Sequence, residues 1–396
     1  MVGTAGALAL TLTPIGDSFA HQGFVDQRLD LRDFILNLGL LAPVGAGLRL
    51  RGWRPRALLV SVLALSGGIE LLQFLLPIGR DASLLDIVAN TAGAGIAAWV
   101  VPRISRSLAA SAAAARWLAV TVLLAWGAQA AVTAWALQRD IPVAAQYHGQ
   151  WTHVFGGMVP LTGVVTAFAI QGHPVRDGAV PNTDTLRAAL ADEGTVTLQL
   201  AVRDLGPSVG RAQVAGVTNG AGDLVAGVER DGCRIRFRLR MRGERLGLGP
   251  LSVMLPTSCR VESGETTIAG RATHASLAIA AAWDGQVRRA MLPLAPSLGW
   301  RLFAPKRWRG GAWDVLGSIA WLTVWGAPLA LWLRAAWPPP RNLARPALLY
   351  AIGLVGGTAL VAMASGLAVG TPGDAVGIAL GWWLGGLAAR RGRSLS

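Results

Sequence analysis

Charge is what this sequence of 396 residues has least of: only 15% of it is Asp, Glu, Lys or Arg, while 53% is apolar. A soluble domain carries about 25% charged residues, so the deficit excludes an ordinary water-soluble globule and makes lipid part of the solvent. Lysine is all but missing, Lys306 being the only one, and the net charge of +14 therefore rests on arginine. Those arginines stand in short clusters at the ends of apolar runs. No basic groove with interleaved aromatics exists, which excludes nucleic acid as a partner. Cysteine is limited to Cys233 and Cys259, and the five histidines are scattered. So few ligands build no metal site, and no cofactor is expected.

Seven apolar runs are long enough to span a bilayer at about 20 residues each. They are Phe34–Leu50, Ala57–Pro77, Leu84–Val101, Trp117–Leu137, Val315–Ala336, Pro346–Leu367 and Ala375–Ala389. The run from Val2 to Ile15 reads as a short extra helix or a cleaved signal ending near Ala20, and either puts the next residues outside. Arg49, Arg51, Arg54 and Arg56 lie between the first two runs; Arg103, Arg106 and Arg116 lie between the third and fourth. Arg334, Arg341 and Arg345 follow the fifth, and Arg390, Arg391 and Arg393 close the chain. Alternating sides places every cluster in the cytoplasm and residues 140–310 outside.

The external segment has a different period. Thr195 to Arg203 and Arg234 to Met241 alternate strictly between apolar and polar, as half-buried strands do. Shorter strands are predicted at Leu251–Leu255, Ala275–Ala280 and Val287–Leu292, which together suggest a sandwich or jelly roll. The row Arg234, Arg236, Arg238 and Arg240 reads as a solvated strand face, with phosphate head groups or acidic glycan as the functional alternative. Cys233 and Cys259 both fall in this segment, where an oxidising compartment favours a disulfide.

The two helical groups resemble each other. Asp33, Gly45, Asp86 and Gly93 recur as Asp314, Gly326, Asp374 and Gly381 at equal spacing within each segment, which points to a duplication. Only the first copy keeps a full polar set, and Ile378 stands where Asn90 does.

Charges inside membrane helices cost about 2.5–3.5 kcal/mol each on insertion scales, so each needs a reason. Asp33 and Asn37 share one helix face, Glu70 and Gln73 a second, Asp86 and Asn90 a third, with Arg80 and Asp81 in the connection above them. Two readings stand. One is a hydrogen-bonded cluster that fixes helix packing. The other is a pocket open to the outer leaflet that holds a polar head group, with Glu70 as candidate acid or base. No nucleophile–base pair, phosphate loop or metal-ligand set accompanies Glu70, so the sequence alone does not make this an enzyme.

The order Arg32-Asp33, Asn37, Pro43-Val44-Gly45, then Ile69-Glu70 and Gln73, then Gly79-Arg80-Asp81, Asp86, Asn90-Thr91 and Gly93 resembles the VanZ-like family of bacterial membrane proteins over residues ~30–102. That resemblance implies cell-envelope work and a link to glycopeptide antibiotic resistance, without defining a reaction. The stretch from Thr273 to Trp283, Asp284 and Gly285 is similar to the strand and turn of laminin-G and concanavalin-A-like jelly rolls. Such domains often bind glycans; the acidic calcium cluster of the type is missing here.

The expectation is a polytopic α-helical protein with seven or eight transmembrane helices and an extracytoplasmic β-sandwich. Residues 1–139 form the VanZ-like part, 140–310 the β domain and 311–396 the degenerate second copy. The cell location implied is the bacterial cytoplasmic membrane, and the partner a membrane lipid or lipid-linked envelope precursor, with glycan as a further ligand. Rival readings are a structural or adhesion protein, and an enzyme on undecaprenyl-type lipids using Glu70.

Overall fold

The computed structural model describes residues 31–75, 83–107, 111–142, 146–154, 158–192, 194–220, 222–257, 259, 264–304, 310–337 and 344–394. Among them, six helical stretches are long and apolar enough to cross a membrane: Leu31–Leu50, Pro55–Leu75, Leu84–Arg103, Ala112–Ala136, Ala312–Ala336 and Ala344–Ser365. The first was expected as one helix from Phe34. It is two, α1 (Leu31–Leu40) and α2 (Ala42–Leu50), parted at Leu41. Pro43 explains the break, since it has no N–H to continue the ladder and tolerates only the first turn of a helix.

Next come α3 (Pro55–Leu75), α4 (Leu84–Ser107) and α5 (Ala112–Ala136). Their outward positions are apolar, including Leu63, Leu71, Phe74, Val88, Ile96 and Leu124, whereas Ser66, Glu70, Gln73 and Asn90 are buried. Polar inside and apolar outside is the arrangement lipid demands.

Between α5 and the later helices lies the β domain. Its strands are β1 (His148–Trp151), β2 (Val164–Ile170), β3 (His173–Pro174), β4 (Gly178–Ala179), β5 (Val196–Arg203) and β6 (Arg211–Thr218). They continue as β7 (Leu224–Asp231), β8 (Arg234–Leu239), β9 (Ser252–Pro256), β10 (Glu265–Ala272), β11 (Ser276–Trp283) and β12 (Gln286–Pro293). Two antiparallel six-stranded sheets result, ordered β4-β1-β6-β7-β8-β9 and β12-β11-β10-β5-β2-β3. They pack as a sandwich over Val214, Val228, Ile235, Phe237, Leu198, Leu200 and Ile279. A Cβ at Gly270 on β10 would strike the Phe237 ring on β8, so a bare backbone lets that ring lie between the sheets. Asp284 and Gly285 both have positive φ, the requirement of the two-residue turn that joins β11 to β12.

Cys233, in the β7–β8 turn, is bonded to Cys259 beyond β9, with Cα atoms 4.9 Å apart. A helix, α6 (Thr183–Ala191), follows β4.

The chain returns through α7 (Gly299–Phe303) to α8 (Ala312–Ala336). Then come α9 (Ala344–Ala351), a π-helical turn at Ile352–Gly356, α10 (Gly357–Ser365) and α11 (Asp374–Ser394). Among the described residues, the β domain meets the helices at one end. Ala368 donates to the Leu294 carbonyl at 2.8 Å beyond α10, and Arg32 at the start of α1 donates to the Phe303 carbonyl at 3.1 Å. Buried Arg301 reaches Asp314 at the start of α8, 3.3 Å away. The described arginine clusters, from Arg49 to Arg56 and at Arg103, Arg116, Arg334, Arg345 and Arg390, lie at the opposite helix ends.

The two helical groups share one packing device. In the first, Gly45 on α2 lies against the Ala94 backbone and Gly93 against the Leu38 carbonyl, so α4 crosses α1 and α2 at close range. In the second, Gly373 just before α11 and Gly377, Gly381 and Gly385 along it lie against the backbone of α8 at Val315, Ile319, Gly326 and Ala327. The middle members differ: α3 lies on α4, whereas α9 lies on α8. Where Ile378 stands in place of Asn90, the Tyr350 hydroxyl donates to the Ile378 carbonyl at 2.7 Å, because the bare surfaces of Gly326 and Gly381 admit a phenol.

Candidate functional site

The helix α3 buries Leu58, Val62, Ser66, Ile69, Glu70 and Gln73, a stripe at helical spacing. Its upper part is polar and meets the stripe of α4 that carries Ala89, Asn90 and Ala94. The Asn90 amide donates to the Ser66 hydroxyl at 3.1 Å, while the Asn90 carbonyl oxygen and the Thr91 hydroxyl, both buried, have no hydrogen-bond partner among the described residues.

Glu70 is 5% exposed and accepts a hydrogen bond from the Ser83 backbone N–H at 2.8 Å. Ser83 precedes α4, and its hydroxyl accepts from Leu85 N–H at 3.2 Å. The pattern is that of a capping box whose carboxylate comes from a neighbouring helix. A carboxylate there also suits the positive end of the α4 dipole. Gln73, one turn on, is buried as well.

The sequence-predicted residues therefore divide. Glu70, Gln73 and Asn90 are all buried, and Glu70 and Asn90 bond across the α3–α4 contact to Ser83 and Ser66. Asp86 lies one turn before Asn90 and is half-buried, as is Asn37 on α1, next to the Leu38 carbonyl that meets Gly93. Asp33 is 60% exposed at its side chain and pairs with Arg32 at 3.7 Å. Arg80 and Asp81 lie outside the described residues. Ser66 was missed, although it stands four residues before Glu70 and hence on its face.

A second polar assembly covers the outward face of the sheet containing β6, β7 and β8. The arginine row was expected to be solvated; Arg234 is exposed, but the other three are not. Arg236 is buried and Arg238 and Arg240 nearly so. The carboxylates come from neighbouring turns and, in Asp140, from a distant segment. Arg236 pairs with Asp231 at 2.7 Å, Arg238 with Glu244 at 2.5 Å, and Arg240 with Asp223 at 2.7 Å and Asp140 at 3.0 Å. Arg245 also pairs with Asp140. Desolvation lowers the Arg236 guanidinium and raises the Glu244 carboxyl above its usual range. Burial would also raise Asp140, but hydrogen bonds from Arg245 and Arg240, and their charge, hold it below the usual range.

Fold and site define a class: a multi-pass membrane protein whose polar centre lies between helices at one end of the bundle, beneath a β-sandwich set between two of its helices. Within that class, residues 6–105 match the family model described as VanZ/LLP1, a span that takes in α1 to α4 and every residue of the buried polar cluster. Comparison with curated proteins and with solved structures finds no match.

Proposed function

We propose that this is a cell-envelope protein of the bacterial cytoplasmic membrane that holds the polar head group of a membrane lipid or lipid-linked envelope precursor beside Glu70, Gln73 and Asn90. The β domain, in this reading, is extracytoplasmic, of laminin-G or concanavalin-A-like type, and recognises glycan. The arginine clusters at the far helix ends support that orientation through the positive-inside bias. The observation that carries the reading is a carboxylate buried within lipid-facing helices, one helical turn from the Ser66 that bonds a buried amide whose oxygen lacks a hydrogen-bond partner among the described residues. A lipid-borne hydroxyl or amide could supply the missing donor while its tail stays in the bilayer. A link to glycopeptide resistance follows from the same reading, since such drugs act on lipid-linked wall precursors.

One contact favours a second reading, in which Glu70 only fixes helix packing: its bond to Ser83 is a cap. Glu70→Gln separates the two, because the amide oxygen can still accept from Ser83 while the charge is lost. Native mass spectrometry of the purified full chain should show a co-purified lipid that Glu70→Gln and Asn90→Ala both lose at unchanged expression. Equal lipid retention in all three proteins would leave packing as the role.

A further inference from the structure

The outward face of β6, β7 and β8 holds a cavity of about 330 Å³, lined by Arg211, Gln213, Glu229, Arg238, Arg240 and Glu244 among others. Its origin is in the register. Gly216 on β6 pairs with Gly227 on β7, so two adjacent positions of the face carry no side chain. On one side of that bare patch stands the row Gln213, Glu229 and Arg236, paired across three strands. On the other stand Thr218, Leu224 and Arg240. The Leu224 side chain leans over the glycines and gives the hollow an apolar floor.

The polar groups in this hollow are unfinished. Glu229 is 1% exposed, yet among the described residues neither carboxylate oxygen has a hydrogen bond. The guanidiniums of Arg211 and Arg236 stand 3.6 Å from it and that of Arg238 3.8 Å away, close enough for attraction and too far to bond. The amide nitrogen of Gln213 and the Nε atoms of Arg211 and Arg238 are also buried and unpartnered. Buried polar groups are nearly always satisfied, so a cluster of acceptors and donors left open inside one cavity points to a ligand.

The geometry points to a binding site for a neutral polyhydroxyl ring, that is, one sugar unit held through adjacent hydroxyls. Three chemical facts narrow the class. Arg211, Arg238 and Arg240 face Asp223, Glu229 and Glu244, so the lining is charge-balanced and an anion would have to displace a carboxylate. A hydroxyl donates and accepts at once, which fits a carboxylate oxygen with an open N–H beside it. The Leu224 and Met158 side chains offer an apolar surface to ring C–H groups. The assignment rests on the glycan reading of the β domain and adds to it a place and a chemistry.

The test uses the full chain in detergent micelles or nanodiscs, titrated with glucose, galactose, mannose and N-acetylglucosamine by saturation-transfer NMR and calorimetry. Inorganic phosphate serves as the anionic control. Vesicles doped with a neutral glycosyl diacylglycerol separate a membrane-borne sugar from a free one. At least one neutral sugar should bind in one of the two forms, and Glu229→Gln should weaken it roughly tenfold or more. Gln213→Leu should do the same while keeping the fold, because the replaced amide nitrogen has no partner to lose. Sugar binding untouched by both variants would overturn this site while sparing the glycan reading. Absence of any sugar binding overturns both. Phosphate binding in preference to sugar overturns the neutral-ring assignment.

Discussion

At the residue scale, Asp140 joins the helix bundle to the β domain. It follows α5 by four residues and receives hydrogen bonds from Arg240 at 3.0 Å and from Arg245. Its carboxyl is held low because those bonds outweigh burial. The folded chain thus binds this proton less readily than the unfolded one. Its stabilisation is present above the unfolded carboxylate value and drains away as pH falls through the lower folded value. Glu244 acts in the opposite sense. Burial raises its carboxyl, so its contribution is full at acid pH and lost as pH rises through the folded value. Asp140→Asn should cost about 1–2 kcal/mol at neutral pH, since Arg240 keeps Asp223 and Arg245 stays well solvated. Thermal melts at neutral and acid pH should show the variant's deficit shrinking on acidification. This pairing was not legible in the sequence, since Asp140 and Arg240 are a hundred residues apart.

At the scale of elements, the α8–α11 contact rests on glycine rather than on side-chain interlock. A Cβ at Gly377 would lie 2.7 Å from the Ile319 carbonyl, whereas Gly68 on α3 faces open space. Gly377→Ala should therefore destabilise the bundle by about 1–3 kcal/mol through overpacking. Gly68→Ala should be neutral or mildly stabilising, as a glycine-to-alanine change within a helix ordinarily is. Detergent melting of the two variants beside the parent chain checks the contrast. Element type followed from periodicity where one face was solvent or lipid. The helices and β5 were readable for that reason, β5 alternating buried and less buried positions along its length. Strands β6 and β7 escaped because both faces are covered, which erases alternation. Glu229, Arg230 and Asp231 are three charged residues in a row, a pattern with no alternation to mark the strand they end. Helix α6 was overlooked despite Leu186 and Leu190 four apart, its run being too short to stand out. In the candidate membrane site, spacing placed Glu70 with Gln73 on one face; the cap supplied to α4 needed the three-dimensional fold.

At the scale of the whole molecule, every described arginine cluster lies at one end of the bundle and the sandwich at the other. A reporter that works only outside the cytoplasm should be active when fused after Thr195 and silent after Arg106. The reverse result would move the polar cluster to the inner leaflet and remove the proposed ligand from reach. The sandwich also starts and ends at one place: Gly299 on α7 lies against Gln129 and Thr133 of α5, and α5 packs on α8. During synthesis, then, α5 is finished long before its neighbour α8 exists. An unfolded segment some sixteen-fold longer than a short loop would make closing that hairpin roughly 2.4 kcal/mol harder. Once the sandwich folds, its two ends sit side by side and the penalty disappears. Folding of the sandwich, stapled by Cys233 and Cys259, thus favours closure of the two halves of the membrane core on each other.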